Sequence, residues 1–231
     1  MSNVAPGAPV AGIDRWRGGW VIARGADSVD DITTASTVGD ALDATTDCEV
    51  VAVDMPIALV VTGRRQAEAD LRARLGPAGR SVFTSPTRAA IAAADQAEAT
   101  VVNRAHGGPG ISAQAWGLAG PIRELRGALP SAPGGECWYE THPETAFALM
   151  NGGEPLDAKR SGRGVGQRLL LLRQWLTVDR LLADAPPKVP VDDVLDAIAA
   201  WWSARRIADG RAEIFGDPGR DDEGFEGSIR V

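Results

Sequence analysis

The sequence predicts a mixed α/β fold, a sheet with helices packed on it, and three observations carry that expectation. Strand-like segments come first, strands then alternate with helical segments, and the run CEVVAVDMP is nearly continuously apolar, as in a strand covered on both faces. The chain has 231 residues, 44% hydrophobic and 24% charged, enough for a sizeable core.

The elements follow in order. VAGIDRWRGGWVIARG reads as a β-hairpin turning at Gly18-Gly19. Residues 40–47 are polar and helix-compatible, and the apolar strand after them ends at Pro56. RRQAEADLRARLG places Ala67, Leu71 and Leu75 on one stripe, allows an i,i+4 pair between Asp70 and Arg74, and stops at Gly76-Pro77. SPTRAAIAAADQAEATVVNRA is expected to be one Ala-rich helix capped by Ser85 with Pro86 at its first position. SAQAWGLAGPIRELRGAL is expected to be a helix that Pro121 kinks or divides.

ECWYETHPE is strand-like up to Glu140, and Pro143 opens a short helix closed by glycines. EPLDAKRSGRGVG reads as a loop leading into a helix over QRLLLLRQWLTVDRLLADA. PPKVP separates that helix from a last one, VDDVLDAIAAWWSARRIADG. No linker or repeat divides the chain, so one domain over 1–231 is expected, with a core at about 10–210 and an acidic, Gly-rich tail at 211–231.

A net charge of −7 argues against a broad nucleic-acid-coating face. Two segments nevertheless carry arginine or lysine and no acid, residues 71–94 and 159–175. They read either as solvated faces or as a phosphate-contacting rim. The first residues lack a secretory signal and no run is long and apolar enough for a membrane span, so a cytoplasmic protein without membrane contact is expected. Cys48 and Cys137 match no metal or redox spacing and read as buried thiols.

The unusual residues are acids at strand ends. Asp14 ends GIDRW, Asp54 ends VAVDMP and Glu140 ends WYE, while Asp193 and Asp196 share one face of the last helix. Each has a plain reading on its own: a hairpin ion pair for Asp14, a turn acceptor for Asp54, a strand-end ion pair for Glu140, a first-turn helix acid for Asp193. Together at one sheet rim they would repel, and a divalent cation resolves that repulsion. With two histidines and no spaced thiols, the site would be all-oxygen and suit Mg²⁺ or Mn²⁺. His142 in ETHPE is either a general base or phosphate contact, or a histidine bonding its own turn. GRGVG at 162–166 lacks the GK[ST] ending and a preceding strand, which makes Walker-type nucleotide binding a poor match.

The order of GIDRW, VAVDMPIAL, RRQAEADLRARLG, SVFTSPTR, YETHPE, AKRSGRGVGQR and DDVLDAIAAWWSAR resembles the DUF429 family, proteins assigned as predicted nucleases to the ribonuclease H-like superfamily. The resemblance implies a mixed five-stranded sheet with its first three strands antiparallel and helices on both faces. It implies metal ligands at Asp14, Asp54 and the pair Asp193 and Asp196, with Asp54 standing where resolvase-like enzymes usually carry glutamate. The expected activity is a metal-dependent nuclease or phosphodiesterase. Asp14, Asp54, Asp193, Asp196, Glu140 and His142 form its candidate catalytic set, and Arg65, Arg74, Arg88, Lys159 and Arg168 are candidate contacts to a nucleic acid or nucleotide-like phosphate ligand. The alternative is a non-catalytic protein binding a nucleotide or small anion on the same fold.

Overall fold

The computed structural model describes residues 7–231, so the sequence reading of residues 1–6 lies outside the described residues. In chain order the elements are β1 (Val10–Trp16), β2 (Gly19–Gly25), β3 (Asp31–Ala35), α1 (Val38–Ala44), β4 (Val50–Val53), α2 (Gln66–Leu75), α3 (Gln96–Ala105), α4 (Ala113–Ala128), β5 (Trp138–Glu140), α5 (Pro143–Met150), α6 (Gly162–Leu172), α7 (Val178–Asp184), α8 (Val191–Ala208), β6 (Ile214–Phe215) and β7 (Ile229–Arg230). The chain divides into two compact units: residues up to Asp54 with 132–213 and 230–231, and residues 55–131 with 214–229.

The first unit holds the predicted mixed sheet, in the order β3-β2-β1-β4-β5. The hairpin is antiparallel with Ile13 opposite Ile22, and β3 extends it antiparallel, Ile32 opposite Ala23. On the other side β4 runs parallel to β1 and β5 parallel to β4. Every residue of β4 is buried, which accounts for its unbroken apolar run. Helix α8 crosses β1, β2 and β4 and closes onto Gly12, where a Cβ would lie 1.8 Å from the Trp201 backbone nitrogen and 2.3 Å from the Ala197 carbonyl oxygen. Only glycine permits that approach, and Trp201 then reaches across to donate its indole N–H to the Gly25 carbonyl at 3.0 Å.

In the second unit Leu71 and Leu75 of α2 and Ile122 and Leu125 of α4 are buried. Here the structure corrects the sequence reading of residues 85–105. Helix begins only at Gln96, capped by Asp95, whose carboxylate accepts the Glu98 N–H at 2.9 Å. Upstream the chain is held out of α-helix from outside: the Ser85 N–H goes to Glu68 at 2.8 Å, the Thr87 N–H to Asn103 at 2.8 Å and the Arg88 N–H to the Val60 carbonyl at 2.9 Å, and the alanines that follow form only a short 3₁₀ turn at Ala90–Ala92. These long-range bonds outweigh the local propensity of an alanine run. Helix α4 in turn runs undivided through Pro121, with Ser112 capping the Ala115 N–H at 3.1 Å.

Two further corrections concern the first unit. GRGVG is no loop but the opening of α6, capped by Ser161, whose hydroxyl accepts the Gly164 N–H at 2.9 Å. A Cβ at Gly164 would meet the Ala158 carbonyl oxygen at 2.1 Å, so this glycine serves close packing. The helix expected through Ala185 breaks after Leu172 and resumes as α7, because Thr177 takes a non-helical backbone (φ −80°, ψ 62°). Cys48 is buried, whereas Cys137 is only partly so. Among the described residues no helix is long and apolar enough to cross a membrane.

Candidate functional site: an acidic cluster at the sheet rim

The parallel register places two of the predicted acids side by side. Ile13 pairs with Val53, and the next bond of the ladder runs from the Asp54 N–H to the Ile13 carbonyl at 2.9 Å, which sets Asp54 beside Asp14. Period-two alternation puts Asp14 on the face of Gly12, the face that α8 covers. Next to Ala197 and one turn before Ala200 on that helix stands Asp196, 1% exposed. Glu140 is level with Val53, so its register assigns it to the other face of the sheet from Asp54.

The electrostatics record the crowding. Burial, then the charges of Asp196 and Asp54, push the Asp14 carboxyl well above its ordinary value. Asp54 is raised to about 8 by burial and by Asp196, with Glu140 and Glu144 adding and Lys159 opposing. Asp196 rises to about 6, again chiefly through burial, and Lys159 holds it back. Asp193, less enclosed, is raised by burial and by Asp192.

Lys159 supplies the positive charge that the sequence reading assigned to phosphate. Its ammonium bonds directly to Asp196 Oδ2, and this pairing, with Asp14 and Asp54 nearby, raises the lysine against the effect of its own burial. The other oxygen, Asp196 Oδ1, is buried without a hydrogen-bond partner. His142 caps α5: its Nδ1 accepts the Thr145 N–H at 3.2 Å, so the ring is neutral at that nitrogen. Burial and Lys159 lower it to about 4, which keeps it neutral near pH 7.

Around the cluster lie partners that sequence reasoning did not assemble. Glu144 receives both of its bonds from Arg168 Nη2, at 2.7 Å each, and Arg168 is 1% exposed. Asp192, not Asp193, takes an arginine, with Arg160 Nε at 2.8 Å. In the sequence Glu144 looks like an ordinary first-turn helix acid; the one signal was an arginine, Arg168, against the apolar run LLLL. The remaining predicted cations lie in the second unit. Arg65 is buried 3.8 Å from Glu68, Arg74 is partly buried on α2, and Arg88 pairs with Asp222 at 2.7 Å and Asp221 at 3.2 Å. Among the described residues no group of three or more His, Cys, Asp or Glu side chains is placed so that it could hold a metal ion. Lys159 holds one oxygen of Asp196 instead.

The fold and site define an α/β protein with a buried carboxylate cluster at the rim of a mixed sheet. The chain belongs to the DUF429 family, described as a protein family of unknown function, which it matches over residues 12–220. No curated protein and no solved structure matches it.

Proposed function

We propose that the chain is a hydrolase of phosphodiester bonds, a nuclease or phosphodiesterase of ribonuclease H-like type, that works with Mg²⁺ or Mn²⁺ held by Asp14, Asp54 and Asp196. The observation that carries this reading is the convergence of three carboxylates from two adjacent strand ends and one helix into a buried place where each is pushed above its ordinary value. Acids shifted by burial together with specific charged neighbours are candidates for a functional site.

The donor chemistry is of the kind a hard divalent cation takes. The donors are all oxygen, and the buried Oδ1 of Asp196 lacks any partner. Asp193, one turn away and partly exposed, stands where it can assist. A cation bound there would polarise a phosphoryl oxygen and lower the pKa of water. The chain's own residues do the rest. Asp14 and Asp54 would be ligands in their ionised form, Lys159 offsets the charge beside Asp196, and His142, neutral near pH 7 and accepting the Thr145 N–H at Nδ1, can offer its other ring nitrogen as a hydrogen-bond donor.

The direct test is cleavage of single- and double-stranded oligonucleotides and of a small phosphodiester with Mn²⁺, comparing wild type with Asp54→Asn. Cleavage lost in the variant supports the reading, and equal rates in both proteins refute it. The Lys159–Asp196 pair favours a second reading, in which the ammonium is the resident cation and the chain binds a nucleotide or small anion without cutting it. Thermal stabilisation by a nucleotide, indifferent to Mn²⁺ and without cleavage, would select that reading.

A further inference from the structure

The second unit contains a cavity of about 540 Å³ lined by Arg88, Arg123, Arg126, Ile91, Pro130 and Phe225, among others. Three guanidiniums converging on one apolar-walled cavity in a chain of net charge −7 require an explanation. Part of it is internal. Residues 219–227 form a finger closed on itself: the Asp221 N–H bonds the Phe225 carbonyl at 2.8 Å, the Gly227 N–H bonds the Gly219 carbonyl at 3.1 Å, and Arg220 bridges Glu226. Its tip presents Asp221, Asp222 and Glu223 to the arginines. Arg88 contacts all three, at 3.2, 2.7 and 3.4 Å, and Arg126 binds Glu223.

Those carboxylates occupy the arginines as a ligand's oxygens would, since a guanidinium fork binds carboxylate and phosphate with the same geometry. The clamp is enclosed on its inner side, where Arg88 and Asp221 are 22% and 20% exposed and the Arg126 guanidinium lies 4.5 Å from the Phe225 ring, but open on its outer side. Asp222 is 70% exposed and Glu223 42%, and ion pairs so open to water contribute little. The finger's backbone bonds are its own, so it can lift without losing them. Beneath it the arginine donors are incompletely used. Arg88 Nε is buried with no partner, and Arg123, which lines the cavity, donates through Nη1 to the Ile91 carbonyl. A guanidinium has five N–H donors to offer.

We infer that the Arg88, Arg123 and Arg126 cavity is a binding site for a phosphate monoester carrying a compact apolar portion, of nucleotide type, and that the acidic finger occupies it until such a ligand displaces it. The phosphate replaces the carboxylates on the arginines, and Ile91, Ala92 and Pro130 receive the apolar portion. The site stands on residues of the second unit alone and does not depend on the carboxylate cluster having activity.

Calorimetry on the full chain in EDTA, which removes divalent cations, tests it with a 5′-mononucleotide, its unphosphorylated nucleoside and inorganic phosphate. The mononucleotide binds about tenfold or more tighter than either of the others, Arg123→Gln weakens it by about tenfold, and the Asp222→Asn/Glu223→Gln double variant tightens it by a similar factor. Amides of residues 221–225 in the wild-type protein exchange faster with solvent once the nucleotide is bound, a readout that stands even where the double variant folds poorly. Absence of binding to both wild type and finger variant, equal affinity in Arg123→Gln, nucleoside binding as tight as nucleotide, or finger amides unchanged or slowed on binding would each overturn the assignment. Equal affinity for inorganic phosphate overturns the monoester class.

Discussion

The Lys159 ammonium is bonded to one carboxylate oxygen of Asp196 while the other oxygen of the same carboxylate is buried without a partner. One carboxylate thus holds a fixed monovalent cation and a free lone-pair site together, in a cluster where neighbouring Asp14 and Asp54 resist ionisation.

Removing that lysine should expose the repulsion. In Lys159→Met the buried Asp196 loses its partner, which for a buried pair costs about 3–5 kcal/mol, reduced to roughly 1–3 because the lysine is 36% exposed. Urea unfolding near pH 7 measures the loss. Mn²⁺ should restore more stability to this variant than to wild type.

Stability should fall as pH rises above 6.5, the ordinary histidine value, towards about 8, the raised value of Asp54. In that window the folded chain keeps a proton on Asp54 that the unfolded chain has already lost, so the unfolded state binds fewer protons and raising the pH favours it. His142 works in the opposite sense, but lower down, between about 4 and 6.5: the unfolded ring takes up a proton that the folded one refuses. Thermal melts across pH 6.5–8 should show the decline, Asp54→Asn should flatten it, and saturating Mg²⁺ should abolish it, because the cation binds the ionised acids.

Arg168 should not tolerate replacement. Arg168→Met strands Glu144 beside Asp54 and Asp196 and should cost about 3–5 kcal/mol in chemical denaturation. Arg168→Lys should recover only part of it, since a single ammonium lacks the guanidinium's spread of donors to Glu144, Gly164 and Asp157.

Gly12→Ala should be more damaging than any surface change. The added methyl would fall 1.8 Å from backbone nitrogen of α8, and backbone cannot step aside as a side chain can. A loss of at least about 3 kcal/mol, read by thermal unfolding, is expected, together with separation of Asp14 from Asp196.

The acids themselves were legible as anomalies, because a carboxylate ending a buried strand contradicts its surroundings and the contradiction is visible in a single line of letters. Asp14, Asp54 and Asp196 do come together. Glu140 is level with Val53 and so on the other face by one residue of register, a difference that no composition or periodicity within WYETHPE encodes. His142 became a helix cap through the Thr145 N–H, a bond that exists only once α5 has formed.

By itself the sequence determined the mixed sheet, the Gly18-Gly19 hairpin, the last helix and the membership in its family, because local alternation, turn residues and capping act over a few neighbouring positions. The tertiary structure alone decided which charge meets which. Lys159 turned inward to Asp196, Arg168 to Glu144 and Arg88 to an acidic finger more than a hundred residues away, and Glu68 and Asn103 hold Ser85 and Thr87, the start of an alanine-rich segment, out of α-helix. Pairings between side chains distant in sequence depend on the path of the backbone between them. The same arginine or lysine would read alike in sequence whether it faced a phosphate in water or a carboxylate in the core.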